Sequence, residues 1–372
     1  MKFNKTSIQH YFVFSTYVIL FISAYIITLF KNKKNNKIFL MGHRLEGNLE
    51  SFIEQNKNIY NLNYLTFDNK IAKSHSYSYT YLNLKNIINL LNSKLIIATH
   101  GILFHKLIKI RGIKTINIGH GVQTEILNYS SRERALFDEV WLSCELDYRI
   151  LKEDCGYKSS NLVVTGFIKH QQILKQESEK GLYQNFKKNN RFWIYAPTLS
   201  PDGRNLDNNL FSLKSHKFLE KLNELSLEND CITIIKPHHN EYLTKKNGVG
   251  IEQLIDNYPK LQSFENFNKD SAKFFPNMVD LLITDWSSIF LDYLVTNKPI
   301  IFLNSHRNEK YPVSRYLQNE HIYRVDSYRS LTDQINQIDP KKNAKLKKYI
   351  FKNLEVENIN STYTKRLRNL ID

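Results

Sequence analysis

LLITDWSSIFLDYLVTNKPIIFL, residues 281–303, is the stretch whose reading decides the fold. An apolar run ends in a polar turn, Thr284, Asp285, Trp286, Ser287 and Ser288. A helical stretch from Ser287 to Val295 follows, and Lys298 and Pro299 then lead into a second apolar run. Two short buried strands separated by a crossover helix form a parallel pair, because a tight hairpin cannot return the chain in the same direction. Outward from this unit the same alternation repeats. RFWIYAP (191–197), a helix from about 214 to 227, CITIIKP (231–237), VDLLITD (279–285) and PIIFLN (299–304) make one series. KIFLM (37–41), a helical segment at 49–55, YLTF (64–67), NLKNIINLL (83–91), LIIAT (95–99), TINIG (115–119), EVWLSC (139–144), a helix at 145–153 and NLVVTG (161–166) make another. Between them, KQESEKGLYQNFKKNN (175–190) is polar and aperiodic and reads as a linker.

The expected fold class is therefore α/β, with two facing, doubly wound Rossmann-like domains at 37–174 and 191–340. A chain of 372 residues suits two cores better than one. After residue 340, PKKNAKLKKYIFKNLEVEN predicts a basic amphipathic helix within 341–372, able to pack back on the first domain or to touch anionic lipid.

Residues 1–36 are of another kind. YFVFSTYVILFISAYIITLF, residues 11–30, holds no charge, and as a helix rising ~1.5 Å per residue it covers the ~30 Å hydrocarbon core of a bilayer. It runs directly into KNKKNNK rather than into small residues, so a retained anchor is expected instead of a cleaved signal peptide. Lys31, Lys33, Lys34 and Lys37 outnumber Lys2 and Lys5 across the segment, which places the rest of the chain on the cytoplasmic side of the cell membrane. Tyr11, Tyr17 and Tyr25 keep open a helix lying in the interface.

Lys and Arg number 52 against 36 Asp and Glu, a net charge of +16 that favours polyanionic partners. Scattered lysines beside asparagines, without zinc-finger spacing or an aromatic single-strand-binding motif, argue against nucleic acid and for an anionic membrane surface or a phosphate-rich substrate. Cys144, Cys155 and Cys231 match neither a disulfide framework nor a zinc site, which suits a reducing compartment.

Ligands of open α/β sheets bind beyond the carboxyl ends of the strands, and four clusters fall there. In NIGHGVQT, His120 stands between Gly119 and Gly121, accessible and titrating near neutrality, a candidate general base. In IIKPHHNE, Lys236, His238 and His239 suit a phosphate or pyrophosphate. Thr284, Asp285, Ser287 and Ser288 precede a helix, where free N–H groups and the helix dipole converge on an anion. YAPTLSPDGRN (195–205) is a further cleft loop. Each has a structural counterpart reading: a turn histidine, a solvated basic tip, an ordinary helix cap. The chain carries no Walker A loop, no strand-following GxGxxG, no GxSxG elbow and no DxD pair, so neither a metal nor another cofactor is expected.

Taken in order, GHGVQT, YAPT, KPHH and DLLITDWSSIFLDYLVTNKPIIFL resemble the CDP-glycerol glycerophosphotransferase family of teichoic acid and capsule polymer synthesis. The likeness spans roughly residues 95–305, and the stretch 142–167 is similar to the family's interdomain-facing part. It implies a glycosyltransferase-B type fold, donor nucleotide on the second domain and acceptor on the first. It further implies a CDP-activated polyol such as CDP-glycerol as donor substrate, and a lipid-linked polymer as acceptor. His120 matches the family's proposed base, His238 the histidine of its lysine–histidine motif, and Ser287 and Ser288 serines near the donor diphosphate. Lys236 and Thr284 join the diphosphate site, while Asp285 and Asp292 are candidates for nucleotide contact. The family continues His-Gly-Thr-Pro where this chain has His120, Gly121, Val122 and Gln123, and Asp-Tyr-Ser-Ser where it has Asp285, Trp286, Ser287 and Ser288. These departures bear on donor and acceptor identity. The rival reading is a nucleotide-sugar glycosyltransferase of the same architecture.

Overall fold

Strand β11 (Leu281–Thr284) lies parallel to β12 (Ile300–Leu303), with Leu282 opposite Ile300 and Thr284 opposite Phe302. Every residue of both strands is buried, as expected when helices cover both faces of a parallel sheet. A computed structural model of the chain describes residues 5–30, 35–42, 45, 47–66, 72–73, 76–80, 83–119, 121, 136–178, 191–198, 210–213, 215–237, 251–266, 275–304, 313–317, 322–352 and 354–371.

Two parallel sheets form. The first runs β3-β2-β1-β4-β5-β6-β7, from β1 (Ile38–Met41), β2 (Leu62–Thr66), β3 (Ser78–Thr80), β4 (Leu95–Ala98), β5 (Lys114–Asn117), β6 (Glu139–Leu142) and β7 (Leu162–Val164). The second runs β10-β9-β8-β11-β12-β13, adding β8 (Arg191–Ala196), β9 (Cys231–Ile235), β10 (Leu261–Ser263) and β13 (Tyr323–Val325). The winding reverses between β1 and β4 in the first sheet and between β8 and β11 in the second. Crossover helices are seeded by their caps: Asn83 accepts from the N–H groups of Lys85 and Asn86, and Ser215 from that of Phe218. Each such cap contributes about 1 kcal/mol.

Residues of both sheets share one buried apolar cluster, which includes Leu40, Ile97, Trp141, Ile194, Trp286 and Phe302. Separate clusters cover the far faces, one including Ile87, Ile96 and Val140, the other Trp193, Phe218 and Ile283.

Three expectations change. The helix after the serine turn is short, Phe290–Leu294, instead of starting at Ser287. The N–H groups of Phe290 and Leu291 bond back three residues, to the carbonyls of Ser287 (3.2 Å) and Ser288 (3.3 Å), so the serines lie in a tighter turn ahead of it. The C-terminal stretch is two helices, Pro340–Phe351 and Ile359–Ile371, broken where Lys352 takes a positive φ of 47°. Lys347 Nζ donates to the Val295 carbonyl (2.8 Å), and Arg366 grips Glu139 with two bonds of 2.7 and 3.0 Å, so the C-terminal stretch reaches from the second sheet back to the first. The helix Ile168–Ser178 runs into the expected linker, whose remaining residues, 179–190, lie outside the described residues.

The helix Lys5–Phe30 is the one helix among the described residues long and apolar enough, over Val13–Phe30, to cross a membrane. It rests against the helix Leu84–Leu91, and Phe21 stacks on Phe104 with ring centroids 4.5 Å apart.

Candidate functional site

The residues following β8, β9 and β11 gather at one end of the second sheet, since these strands are parallel neighbours. The β8/β11 junction is also where the winding reverses, the place in open α/β sheets where a crevice opens for a ligand. Asp285 organises it. One carboxylate oxygen accepts from the Thr198 N–H (2.8 Å) and from the Thr198 hydroxyl, and the carboxylate also takes the Ser287 N–H. Burial pushes Asp285 above the usual carboxylate range, although these donors pull the other way. Trp286 lies fully buried beneath the turn, stacked on Phe302 with centroids 5.4 Å apart, and the Arg324 guanidinium sits 5.3 Å from its ring. Ser287 and Ser288 remain partly exposed.

Beside this turn, Lys236 follows β9. Its N–H donates to the Tyr195 carbonyl (2.9 Å), and its Nζ lies 5.3 Å from the centre of the Phe264 ring. The backbone thus fixes where the cation begins, and the aromatic face steadies the side chain.

On the first sheet, the turn after β5 is shaped by neutral groups. Asn117 Oδ1 accepts from the Gly119 N–H (3.0 Å), and Asn48 Nδ2 donates to the Ile118 carbonyl (2.6 Å). Gly119 has φ +63°, and a Cβ there would also meet the Phe167 ring at 3.1 Å. Gly121 approaches the second sheet: a Cβ on it would lie 2.6 Å from Ser288 Oγ and 3.1 Å from Ser288 Cβ. The two motifs singled out in sequence, one from each sheet, are therefore in van der Waals contact through a glycine.

A further set of residues ties the sheets together nearby. Lys169 Nζ reaches Asp292 at 2.8 Å, and His170 Nε2 lies 2.9 Å from the same carboxylate. Burial raises the Asp292 pKa, but the Lys169 charge and the His170 hydrogen bond outweigh it and hold the group at about 2. Burial pushes His170 below its ordinary value, against the hydrogen bond and charge of Asp292, which pull it up.

Two candidate roles are corrected. Thr284 is fully buried and its hydroxyl donates to the Ala196 carbonyl (2.5 Å), so it staples β11 to β8 and presents nothing to a diphosphate. Asp292 is taken by Lys169 and His170 instead of standing free for a nucleotide. Asp285 is held by Thr198 and Ser287, which makes it the organiser of the turn. His120 and His238 lie outside the described residues. Sequence reading missed Thr198, Lys169 and His170 as partners. The first stood in the YAPT motif, and the other two follow a strand end, Gly166 and Phe167, where a basic pair was a usable signal. Among the described residues no group of His, Cys, Asp and Glu could hold a metal ion.

Parallel sheets that meet across polar strand-end turns, with the turn at a winding reversal, form a nucleotide-binding type of frame. The chain belongs to the CDP-glycerol:poly(glycerophosphate) glycerophosphotransferase family, whose sequence profile matches residues 23–370. The minor teichoic acid biosynthesis protein GgaB of Bacillus subtilis (strain 168) is 24% identical over 200 residues, 52% of this chain and 21% of GgaB. The match thus spans about a fifth of that relative's length. Among solved structures, the wall teichoic acid polymerase TagF superposes with a TM-score of 0.68 at 14% identity, covering 92% of this chain and 89% of that one. TagF has also been solved after a soak with CDPG. The UDP-GlcNAc 2-epimerase from Neisseria meningitidis bound to UDP-GlcNAc follows at a TM-score of 0.60 and 13% identity, covering 90% of this chain and 100% of that one. At these identities the structural likeness speaks for the fold.

Proposed function

We propose that this protein transfers glycerol phosphate, or a similar polyol phosphate, from a CDP-activated donor to a hydroxyl of a growing surface polymer of the teichoic acid or capsule type. The observation that carries this reading is the contact between the Gly119–Gly121 turn and Ser288 at the β8/β11 reversal, in a chain of this family. We take the sheets as the two facing domains of a glycosyltransferase-B type fold, 37–174 on the acceptor side and 191–340 on the donor side, joined by 175–190. Residues 341–372 brace them, and 1–36 hold the protein at the cytoplasmic face of the membrane, near a lipid-linked acceptor.

In this reading the acceptor hydroxyl oxygen attacks the phosphorus that bears the polyol. A new P–O bond forms, the bond to the bridging oxygen breaks, and CMP leaves with its electron pair. His120 takes the hydroxyl proton. Lys236, His238 and the partly exposed Ser287 and Ser288 face the charge that builds on the bridging and non-bridging oxygens, where fixed donors act most strongly. Asp285 and Asp292 hold these groups in place.

The test is nucleotide release by detergent-solubilised protein supplied with a lipid-linked acceptor and, in turn, CDP-glycerol, CDP-ribitol and nucleotide sugars. CMP from a CDP-polyol alone, abolished in a folded His120→Ala variant, is the expected result. Nucleoside diphosphate released from a sugar donor, with none from CDP-polyols, would replace the phosphotransferase by a glycosyltransferase.

A further inference from the structure

An aromatic side chain joins the ion cluster between the sheets to one of the two facing turns. Phe167 follows β7 and is buried just ahead of the helix Ile168–Ser178. Its backbone is pinned on both sides. Gly166, with φ +78°, donates its N–H to the Leu142 carbonyl (2.9 Å) and accepts from the Tyr363 hydroxyl (3.1 Å), and the Phe167 carbonyl accepts from the His170 N–H (2.9 Å). The Phe167 ring edge then fills the space left by the missing side chain of Gly119, where a Cβ would lie 3.1 Å from Cζ and 3.2 Å from Cε1. Gly119 is the residue before His120.

The same aromatic ring meets the cluster. Lys169 Nζ sits 5.7 Å from its centre, and the His170 and Phe167 ring centres are 5.5 Å apart. Lys169 Nζ also reaches both oxygens of Asp292, at 2.8 and 2.9 Å. Asp292 stands one helical turn after Ser288, whose carbonyl accepts from the Leu291 N–H (3.3 Å), and Ser288 in turn meets Gly121. The contacts close a circuit through Gly119, Phe167, Lys169, Asp292, Ser288 and Gly121 that crosses between the sheets at two places.

Two crossings fix what one cannot, because bodies joined at a single point still pivot about it. The approach of Gly121 to Ser288 limits how near the turns come, whereas the two-point grip of Lys169 on Asp292 sets their relative rotation. An apolar pair of similar volume would hold the sheets together about as firmly, since desolvating two charges offsets most of their attraction. What the charged pair adds is a preferred distance and direction.

We infer that Phe167 and Lys169 are positioning residues for the transfer step, setting the turn that leads into His120 against the turn of Ser287 and Ser288. The inference rests on the reaction proposed above. It divides the site's duties: Lys236, Ser287 and Ser288 lie on the second sheet and hold the donor without the circuit, while the chemical step needs both turns in register. A misplacement of about 1 Å costs such a step on the order of 100-fold.

The experiment compares the unaltered full chain with Lys169→Met, Lys169→Arg and Phe167→Leu. CDP-glycerol binding is measured by calorimetry, and turnover is expressed per donor-binding site, so that loss of folded protein does not count. Lys169→Met and Phe167→Leu are expected to lower kcat about 30-fold while donor Kd and KM stay within about twofold, and Lys169→Arg to recover about half of kcat. Unchanged kcat per donor-binding site in Lys169→Met, with a lower melting temperature, overturns the inference and leaves the cluster a structural tie. A donor Kd raised about tenfold or more overturns it as well, by placing Lys169 on the donor itself.

A second readout needs no substrate. Nitroxide labels are attached at Lys106→Cys and Glu228→Cys, exposed positions on the helices His105–Ile110 and His216–Glu228, in a Cys155→Ser background. Double electron–electron resonance should give a narrow distance distribution that Lys169→Met widens and Lys169→Arg narrows again; a distribution that Lys169→Met leaves unwidened overturns the inference. Absence of nucleotide release from any donor by the unaltered chain removes the functional reading instead. The distance distribution then still decides whether Lys169 aligns the two sheets.

Discussion

The two turns that meet at the candidate site are built by different physics. After β5, Gly119 and Gly121 allow a close approach, and the turn is pinned by neutral amides, Asn117 to Gly119 and Asn48 to Ile118. After β11, the Asp285 carboxylate gathers donors from Thr198 and Ser287, and a second carboxylate on the helix that follows, Asp292, binds Lys169 and His170 of the helix Ile168–Ser178. The first turn is therefore sensitive to volume and the second to charge.

Replacing Asp285 by Ala tests the second turn most severely. It strands the Thr198 and Ser287 donors and releases the loop after β8, so stability should fall by about 3 kcal/mol and CMP release by about 100-fold. Urea unfolding beside the nucleotide-release assay separates the two effects. Asp292→Asn should cost less, about 1–3 kcal/mol, because the pair keeps some contact with water, its side chains being 16% and 18% exposed. Here the stability loss should shrink when Lys169→Met is added, and a double-mutant cycle reads that coupling directly.

On the first turn the expected injury is steric. Gly121→Ala places a methyl 2.6 Å from Ser288 Oγ and should lower turnover roughly tenfold through misplacement of the facing turns. The clash should also lower the melting temperature of Gly121→Ala, and Ser288→Gly in the same chain should restore it, whatever it does to turnover, because Ser288 is itself a proposed donor contact. An unchanged Gly121→Ala enzyme would break the proposed contact between the sheets.

A separate effect concerns pH. His105, at the start of the short helix His105–Ile110, is buried, with Nε2 3.0 Å from Thr115 Oγ1. Burial, and then the Lys109 charge, lower its pKa to about 4, with Asp138 opposing. The unfolded chain takes up this proton near the ordinary value of about 6.5 while the folded chain does not. Stability from this group is thus complete above that value and falls as pH drops toward 4, by up to about 3 kcal/mol in all. Denaturation midpoints measured from pH 7 to 4 should decline less steeply in His105→Gln.

Much of the architecture was readable from residues 281–303 outward, because strands buried on both faces must be continuous apolar runs and their crossovers must carry a helical period. The helix from Ser287 was read too long for a local reason: Ser287 and Ser288 look like helix caps, yet Asp285 captures the Ser287 N–H and tightens the turn. Of the candidate site, strand-end position picked out the two turns that touch, but it misread Thr284 and Asp292. A threonine at a strand end, or an aspartate on the helix that follows, looks the same in sequence whether it faces a ligand or another part of the fold.

Alone, the sequence determined the periodicities, the apolar N-terminal run, the excess of lysine and the order of motifs, since each is a property of neighbours along the chain. Only the tertiary structure decided which side chains are spent on holding the molecule together. Thr198 and Asp285 are far apart in sequence and adjacent across the β8/β11 reversal, and Lys169 and His170 meet Asp292 only because the two sheets pack on one core. The same holds for the helix Lys5–Phe30: composition made that helix apolar throughout, and packing against Leu84–Leu91 chose which face is covered. Hydrophobicity acts on surface without direction, so the partner of a surface is fixed only when the chain has folded.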